Sequence, residues 1–506
     1  MLFTNIFELK CDFKPTNHRF FMPEKNLDSL DKIVSLSKAR GFIFQSSDIY
    51  GGLAAVYDYG PLGVELKRNI QDNWWKSMTQ HHDNIVGVDA AIFMHPKVWE
   101  ASGHVEGFND PMIDDKQSKK RYRADMLIEQ HIQKLRDKGK DDEADNLQEQ
   151  LDTTGTRKGL CEDLYDIIMQ EEIKAPESGA FDWTEVRQFN LMFKTHYGAT
   201  SSGDDDAIYL RPETAQGIFV NFKNVMDTAR VQIPFGIAQV GKAFRNEVVA
   251  RQFVFRMREF EQMEMQYFVE PGSDEESYEN WLNSRIEWHK NLGIREENLR
   301  TVPHPEDKLA HYARAAADIQ FNFPIGWQEV EGVHNRTDFD LSRHQEYSGK
   351  KMEYYDQKQQ KRYTPYVIET SIGLDRCTLM VLCDAYREEE VDGDTRTVLK
   401  LHPKLAPTKV GIFPLIKKPE LQELAKKIEF ELRDEYNVLY DESGSIGKRY
   451  RRQDEAGTPF CVTVDFDGLE DNTVTIRYRD NMEQDRVYVD KLADVIRDKM
   501  KSWKPE

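Results

Sequence analysis

GIAQVGKAFRNE, Gly236 to Glu247, carries the spacing G-x-x-x-x-G-K, and its reading decides the fold. A phosphate-binding P-loop closes that spacing with Ser or Thr, whose hydroxyl ligates Mg²⁺, and it joins a strand to a helix. Here Ala243 stands at the hydroxyl position, and Phe244-Arg245-Asn246-Glu247 continues extended. The P-loop reading fails on both counts, and what remains is a strand. VQIPFGIAQVGKAFRNE (231–247) and FRMREFEQMEMQYFVE (255–270) flank a short loop and predict a long antiparallel hairpin. In its second arm Met263, Met265, Tyr267 and Val269 alternate with Gln262, Glu264 and Gln266. That is period two, one apolar face and one polar face. The polar face meets either solvent or a pocket for which it is the floor.

The chain has 506 residues, enough for two to four domains. It is 39% hydrophobic and 31% charged, which excludes the disordered and membrane classes. No apolar run approaches the ~20 residues that span a bilayer. The N-terminus lacks a basic region followed by an apolar one, so no secretory signal is read. Five cysteines form no C-x-x-C pair and favour a reducing cytosol. With 69 basic and 89 acidic side chains the net charge is −20, which on its own opposes nucleic acid as a partner. The run GKRYRRQ (447–453), with Lys448, Arg449, Arg451 and Arg452, is a local exception. By itself it is equally well a solvated basic loop.

Residues 1–30 read as an extension, within which Met22 is a second candidate start. A first domain follows from 31 to 404. It is interrupted by a charged helical insertion at about 124–180, expected as a surface hairpin, and by a second helical insertion at about 273–320. Prolines at 403, 407 and 414 mark a boundary near 405. Residues 405–506 alternate strand and helix as a small mixed α/β domain.

R-N-E (245–247) closing one strand and F-R-M-R-E-F (255–260) opening the next resemble motif 2 of class II aminoacyl-tRNA synthetases. A lone Arg or Glu in a hairpin is ordinarily a cross-strand ion pair, but these do not stand alone. YVIETSIGLDRCTLMVLCDAY (366–386) resembles motif 3, and NIQDNWWKSM (69–78) with NIVGVDAAIFMHP (84–96) resembles motif 1. ASGHVEGFNDPMID, RYRAD, RQFNLMFKT, YLRPETAQGIFVNF, NRTDFDL and GKRYRRQDEAGTPFCVTVDFD resemble glycyl-tRNA synthetases of the homodimeric type. The likeness spans roughly 31–500. It implies an α+β fold: an antiparallel-sheet catalytic core with helical insertions, and a C-terminal mixed α/β anticodon-binding domain. It also implies a cytoplasmic homodimer that attaches glycine to tRNA(Gly) through glycyl-adenylate, with ATP and Mg²⁺.

The nucleophile of the first step, a carboxylate, is already ionised, so positioning and charge stabilisation must carry catalysis. The resemblance implies Arg245 and Arg376 as catalytic, Arg245 on the α-phosphate and Arg376 at a helix start that favours phosphate, with Glu247 on the adenine amino group. Phe255 would stack on the base, and Arg256 or Arg258 would meet the outer phosphates. Asn246, Met257, Glu259, Phe260, Val330, Gly373, Leu374 and Asp375 complete the ATP-binding set, with Glu329 as the Mg²⁺ contact. For glycine it implies an ammonium site at Glu213, Glu264, Glu369 and Ser371, with Arg123 on the carboxylate. Phe260, Glu261, Gln262, Met263, Thr370, Ile372 and Gly373 surround them. The basic run 448–452 becomes a tRNA contact.

Two departures stand out. Many relatives carry a zinc ribbon, but Asp115, Ser118, Ala175 and Ser178 stand where its cysteines would be, so no zinc is expected. Thr370 stands where relatives have Pro. A catalytically inactive, synthetase-like nucleic-acid-binding subunit is the alternative function. Such a protein would have shed the ATP-contacting arginines, and Arg245, Arg256, Arg258 and Arg376 are all present.

Overall fold

The computed structural model describes residues 28–154, 159–196, 207–247, 252–306, 309–310 and 312–504; residues 1–27 of the expected extension lie outside the described residues. Seven strands build the central sheet: β1 (Ile85–Gly87), β2 (Phe235–Phe244), β3 (Glu259–Val269), β4 (Leu299–Pro303), β5 (Ala315–Phe323), β6 (Gly326–Thr337) and β7 (Tyr366–Gly373). They lie in the order β4-β5-β6-β7-β3-β2-β1, antiparallel throughout except for β1, which runs parallel to β2. The expected hairpin is β2–β3, with Phe244 opposite Glu259 and Phe235 opposite Phe268.

The alternation in β3 sorts the two faces of the sheet. Met263 and Met265 are fully buried on one face. Three helices cover it: α1 (Pro61–Thr79), α3 (Asp274–Asn291) and α5 (Leu374–Ala385). Gly60-Pro61 starts α1, since Pro fits the first helical position. Its buried stripe Leu66, Ile70, Trp74 and Met78 recurs at helical spacing. Each such side chain contributes about 1.5–3 kcal/mol when fully buried. Beneath the sheet, Glu331 of β6 accepts from Arg285 (2.5 Å) and pairs with His289 (2.8 Å), both on α3.

The opposite face is divided. At one end α2 (Ala215–Ala229) packs Ile218, Phe219 and Phe222 against Phe235, Ile237 and Phe268. At the other end, past Gln266, the face carries the polar side chains and is left open by the helix. α4 (Phe339–Ser348) closes the side.

The second insertion differs from expectation. Among the described residues its one α-helix is Asp274–Asn291, followed by a 3-10 turn at Glu296–Asn298, and residues 299–303 and 315–323 are strands β4 and β5 of the main sheet. AAADIQFNF is rich in Ala, the best helix former, yet pairing with β6 prevails over that local preference. The first insertion holds three helices rather than a hairpin, Ala124–Asp137, Asp141–Thr154 and Leu160–Gln170. They share a core of their own with a three-stranded sheet, 109–114, 121–123 and 187–190.

Residues 410–488 form a five-stranded mixed sheet, in the order 438–440, 410–414, 460–464, 473–478, 484–488. The first three strands are parallel and the last two antiparallel additions. The basic run is no loop: it lies in a helix, α6 (Ile446–Ala456).

Candidate active site

The open polar face of β3 is the floor of a deep cavity. Register brings its parts together. Glu264 lies opposite Ser371 of β7, Ser371 opposite Gly332 of β6, and Glu369 opposite His334. Residues at period two therefore share the face: Gln262 and Glu264, Glu369 and Ser371, then Gly332, His334 and Arg336. A β-bulge in β6 adds two more. Gln320 pairs with Glu329 and Ile319 with Glu331, so Val330 is supernumerary and both Glu329 and Val330 line the cavity.

One half of the cavity is acidic and buried. Glu369 Oε1 is 2.8 Å from His334 Nδ1, and both its oxygens lie 3.3 Å from the Arg336 guanidinium. Its Oε2 accepts from Gln266 at 2.7 Å. Glu264 accepts from Gln266 at 3.0 Å and from the hydroxyl of Thr214. Glu213 accepts from Gln216 at 3.0 Å and lies 3.4 Å from His104 Nε2. Arg336 is itself held by Asp340 at 2.8 and 3.0 Å and lies 4.2 Å from the Tyr312 ring centroid.

Burial works against ionising all three glutamates, and their neighbours decide the outcome. Burial raises Glu264 first, and the charges of Glu369 and Glu213 push it further, well above the usual carboxyl range. Burial opposes ionisation of Glu369 too, but Arg336 and His334 overcome it and hold it low. The same contest at Glu213, decided by His104 and Arg336, holds it at about 2. The surroundings thus push Glu264 up while they hold Glu213 and Glu369 down.

The other half is lined by guanidinium and aromatic groups. Arg245 donates to the Pro212 carbonyl at 3.0 Å and stacks 5.3 Å from Phe260 and 5.4 Å from Phe108. Arg376, in the first turn of α5, donates to the carbonyls of Phe255 (3.1 Å) and Glu329 (3.2 Å). It lies 4.5 Å over the Phe255 ring. A base stacking on that face must come between ring and guanidinium. Arg256, Met257, Glu247, Glu261 and Gly373 also line this half.

Other expected residues lie elsewhere. Arg123 is spent on Asp125 (2.5 Å) and Asp110 (3.3 Å) and does not line the cavity. Met263, Thr370 and Ile372 are buried on the opposite side of the sheet, as period two requires once Glu264, Glu369 and Ser371 face the cavity, and Leu374 is buried at the start of α5. Arg258 donates to the carbonyls of Glu247 (3.0 Å) and Ala54 (3.4 Å). Asn246 is tied by its backbone to Leu191 (2.7 Å), and Glu259 pairs with Lys242 at the rim. Asp375 lines the cavity, but its carboxylate is engaged by Tyr59, Lys67 and a backbone amide. Sequence reasoning missed His104, Thr214, Gln266, Tyr312, His334 and Arg336. Period two had already put Gln266 on the polar face with Glu264, whose site role came from the resemblance, and the same alternation places His334 and Arg336 on the cavity side of β6.

In α6, Arg449 is only 2% exposed and donates to the carbonyls of Pro414, Leu415 and Gly444. It is a structural strut, so its expected nucleic-acid role is withdrawn. Lys448, Arg451 and Arg452 flank a surface hollow with Arg40.

A family model for the tRNA synthetase class II core domain (G, H, P, S and T) matches residues 193–386. One for an anticodon binding domain matches 409–499, and one for glycyl-tRNA synthetase insertion domain 1 matches 110–149 and 138–191. The chain is 57% identical over 472 residues to the glycine–tRNA ligase of Chlorobaculum tepidum, covering 93% of this chain and all of the relative. It is 52% identical over 482 residues to that of Treponema denticola, covering 94% and 98%. Among solved structures, prolyl-tRNA synthetase from Cryptosporidium parvum, complexed with L-proline and AMP, superposes with a TM-score of 0.60 at 15% identity. It covers 95% of this chain and 80% of that one, a likeness of fold.

Proposed function

The chain belongs to the glycine–tRNA ligase family of class II aminoacyl-tRNA synthetases, and from that membership we propose how its cavity divides the work of charging tRNA with glycine. The acidic half takes the amino acid and the arginine half takes ATP. One observation carries this division: three glutamates within one pocket, Glu264 and Glu369 buried and Glu213 partly so, wall to wall with Arg245 and Arg376.

The ammonium group of glycine fits among Glu213, Glu369 and Glu264, whose partners among the described residues include Arg336, His104 and His334. Arg245 stands at the junction of the halves, anchored on the carbonyl of Pro212 beside Glu213. There it meets both the amino-acid carboxylate and the α-phosphate that the carboxylate attacks. Its planar fork stabilises the charge that builds on the pentavalent phosphorus. Arg376 and Phe255 receive the base and α-phosphate side, and Arg256 the outer phosphates. Glu329, half exposed at the mouth, suits a Mg²⁺ brought in with ATP, because that ion needs one or two carboxylates beside phosphate oxygens. When bound, the ion neutralises phosphate charge.

Selection of glycine is by space. A Cβ built even on Gly332 of the pocket wall would come 2.7 Å from the His334 ring. On this reading a substrate methyl would overpack the acidic half, and overpacking costs roughly 1–3 kcal/mol. The tRNA reaches the C-terminal domain, where Lys448, Arg451 and Arg452 are the cations we assign to it. A homodimer across α1 and edge strand β1 is supported by motif 1 and by exposed Ile49, Tyr50 and Leu53 nearby. A cytoplasmic setting agrees with the family and with the absence, among the described residues, of a helix able to cross a membrane.

Glycine-dependent ATP–pyrophosphate exchange tests the division, beside alanine and serine and with Arg245→Ala. Exchange with glycine alone, reduced at least about 100-fold in the variant, is the expected outcome. Equal exchange with alanine would refute selection by space, and an active Arg245→Ala would refute its role.

A further inference from the structure

The Asp375 carboxylate sits where strand β7 ends and helix α5 begins. The last ladder pair between β3 and β7 is Gln262 with Gly373. One residue further, the backbone N–H of Glu261 has no strand to meet on the β7 side, and it donates to Asp375 Oδ2 at 2.7 Å instead. Asp375 thereby extends the sheet by one bond, using a side chain from the first turn of the helix. Its other oxygen, Oδ1, accepts from Tyr59 (2.7 Å) and Lys67 (2.9 Å). Lys67 projects from α1, pairs also with Glu261 at 3.1 Å, and lies 4.4 Å from the Tyr59 ring centroid. Asp375 and Lys67 are nearly buried, with side chains 3% and 14% exposed.

This knot joins three segments distant in sequence: α1 with its preceding strand, β3, and the start of α5. Its immediate neighbours are the residues that matter. Arg376 follows Asp375, and Phe260, which stacks on Arg245, precedes Glu261. A shift of the first turn of α5 against β3 moves one guanidinium relative to the other. Resting on the reading given above, we propose that Tyr59 and Lys67 are positioning residues of adenylate formation, acting through Asp375 to set Arg376 against Arg245. Neither touches the cavity. Asp375 is fixed by two donors from outside the ladder, and Lys67 supplies the positive charge that makes burying that carboxylate tolerable.

The test is ATP–pyrophosphate exchange with kcat and both KM values measured separately for Tyr59→Phe, Lys67→Met, Lys67→Arg and the Tyr59→Phe/Lys67→Met pair. Exchange by the unaltered enzyme tests the functional reading itself, and the variants test only the knot. Loss of a hydrogen bond to a charged group predicts that Lys67→Met lowers kcat/KM for ATP about 10- to 100-fold. The KM for glycine changes less than about twofold, because the acidic half is untouched. Lys67→Arg, which keeps charge and donors, recovers most of the loss. Tyr59→Phe keeps its volume and so its fold, giving a smaller loss that is less than additive with Lys67→Met. The proposal is overturned if Tyr59→Phe and Lys67→Met stay within twofold of the parent for ATP. It is equally overturned if the loss falls alike on glycine and ATP and tracks the melting temperature, since that is the mark of a merely structural contact.

Discussion

Burial first, and then the charges of Glu369 and Glu213 in the same pocket, push the Glu264 pKa well above the usual carboxyl range, so it is the carboxyl of the three most ready to carry a proton. An ammonium ion placed among the three reverses that balance, since opposite charge favours the ionised form. Glycine binding therefore releases a proton from Glu264, and affinity for glycine rises as pH rises through the elevated Glu264 pKa. Calorimetric titration with glycine in two buffers of different ionisation heat measures the proton count directly, and up to one proton is expected. Glu264→Gln cannot release it. In that variant the proton count falls to zero, and the KM for glycine rises about 10-fold or more while that for ATP holds. An unchanged proton count would place the proton elsewhere. At this scale the sequence was legible where a motif names a residue type at a fixed position, as for Glu213, Glu264 and Glu369. It misled at Arg123 and Arg449, because an arginine's partner depends on folded neighbours. Asp110 lies 13 positions from Arg123, and the Pro414 carbonyl 35 positions from Arg449. Nothing local distinguishes a guanidinium that reaches substrate from one that braces a backbone.

The small sheet of the first insertion has a hydrogen-bonded knuckle at the positions where the resemblance led one to look for zinc ligands. Asp115 is buried, and its Oδ2 accepts from Ser118 (2.5 Å) and Ser178 (2.7 Å), while the amides of Gln117 and Ser118 donate at 3.0 and 3.2 Å. Ser178 brings in the segment in which Gly179 and Ala180 fold back on Ala175. Three of the four positions that would carry metal ligands are thus bonded to one another, and the fourth, Ala175, closes the turn. The hydroxyls of Ser118 and Ser178 hold the Asp115 pKa down to about 2. A carboxylate held below its unfolded value of about 3.9 stabilises the fold fully above that value and loses the effect as pH falls toward 2. Hydrogen exchange read by mass spectrometry on 110–123 and 173–186 checks this. Asp115→Ala should speed exchange in both segments at neutral pH, and acid below about pH 4 should do the same to the parent. Chelator treatment should leave both segments protected; lost protection there would mean that a metal shares the knuckle. The departure from the cysteine pattern was readable, but not its replacement, because 60 residues separate Asp115 from Ala175. The alternation of β3 needed no such distant partner and was plain from the start. Strands β4 and β5 were hidden because an edge pair rich in alanine and polar residues lacks a strong period.

Across the whole molecule, the catalytic core and the C-terminal domain meet through buried charge. A hairpin of β8 (Tyr386–Val391) and β9 (Asp394–Leu399) lies against α6. From it Arg396, wholly buried, donates to Asp454 of α6 at 2.9 Å, to Glu389 at 2.5 Å, and to the backbone of Arg479 at 2.5 Å. Asp454 is also gripped by Arg477 at 2.9 and 3.1 Å, entirely within the C-terminal domain. Arg479 returns the contact, donating to the Leu401 carbonyl at 2.7 Å. Prolines near 405 suggested a boundary, and a boundary in sequence says nothing about stiffness. Arg396 and Asp454 are 58 residues apart with no shared motif, so their meeting was invisible before folding. Removing one partner of a buried pair costs about 3–5 kcal/mol, mostly from the charge left behind. Arg396→Met removes one bond to that carboxylate and Arg477→Met removes two, but only the Arg396 bond crosses between the domains. Calorimetry should show one cooperative transition for the parent and for Arg477→Met, lowered in temperature, and two for Arg396→Met. Charging of tRNA(Gly) should fall in Arg396→Met while glycine-dependent pyrophosphate exchange persists, because the adenylate site lies wholly in the core and only tRNA must be held by both domains at once. If exchange and charging fall together, the hairpin supports the cavity itself and the buried charges do not serve to fix the distance between the two ends of the tRNA.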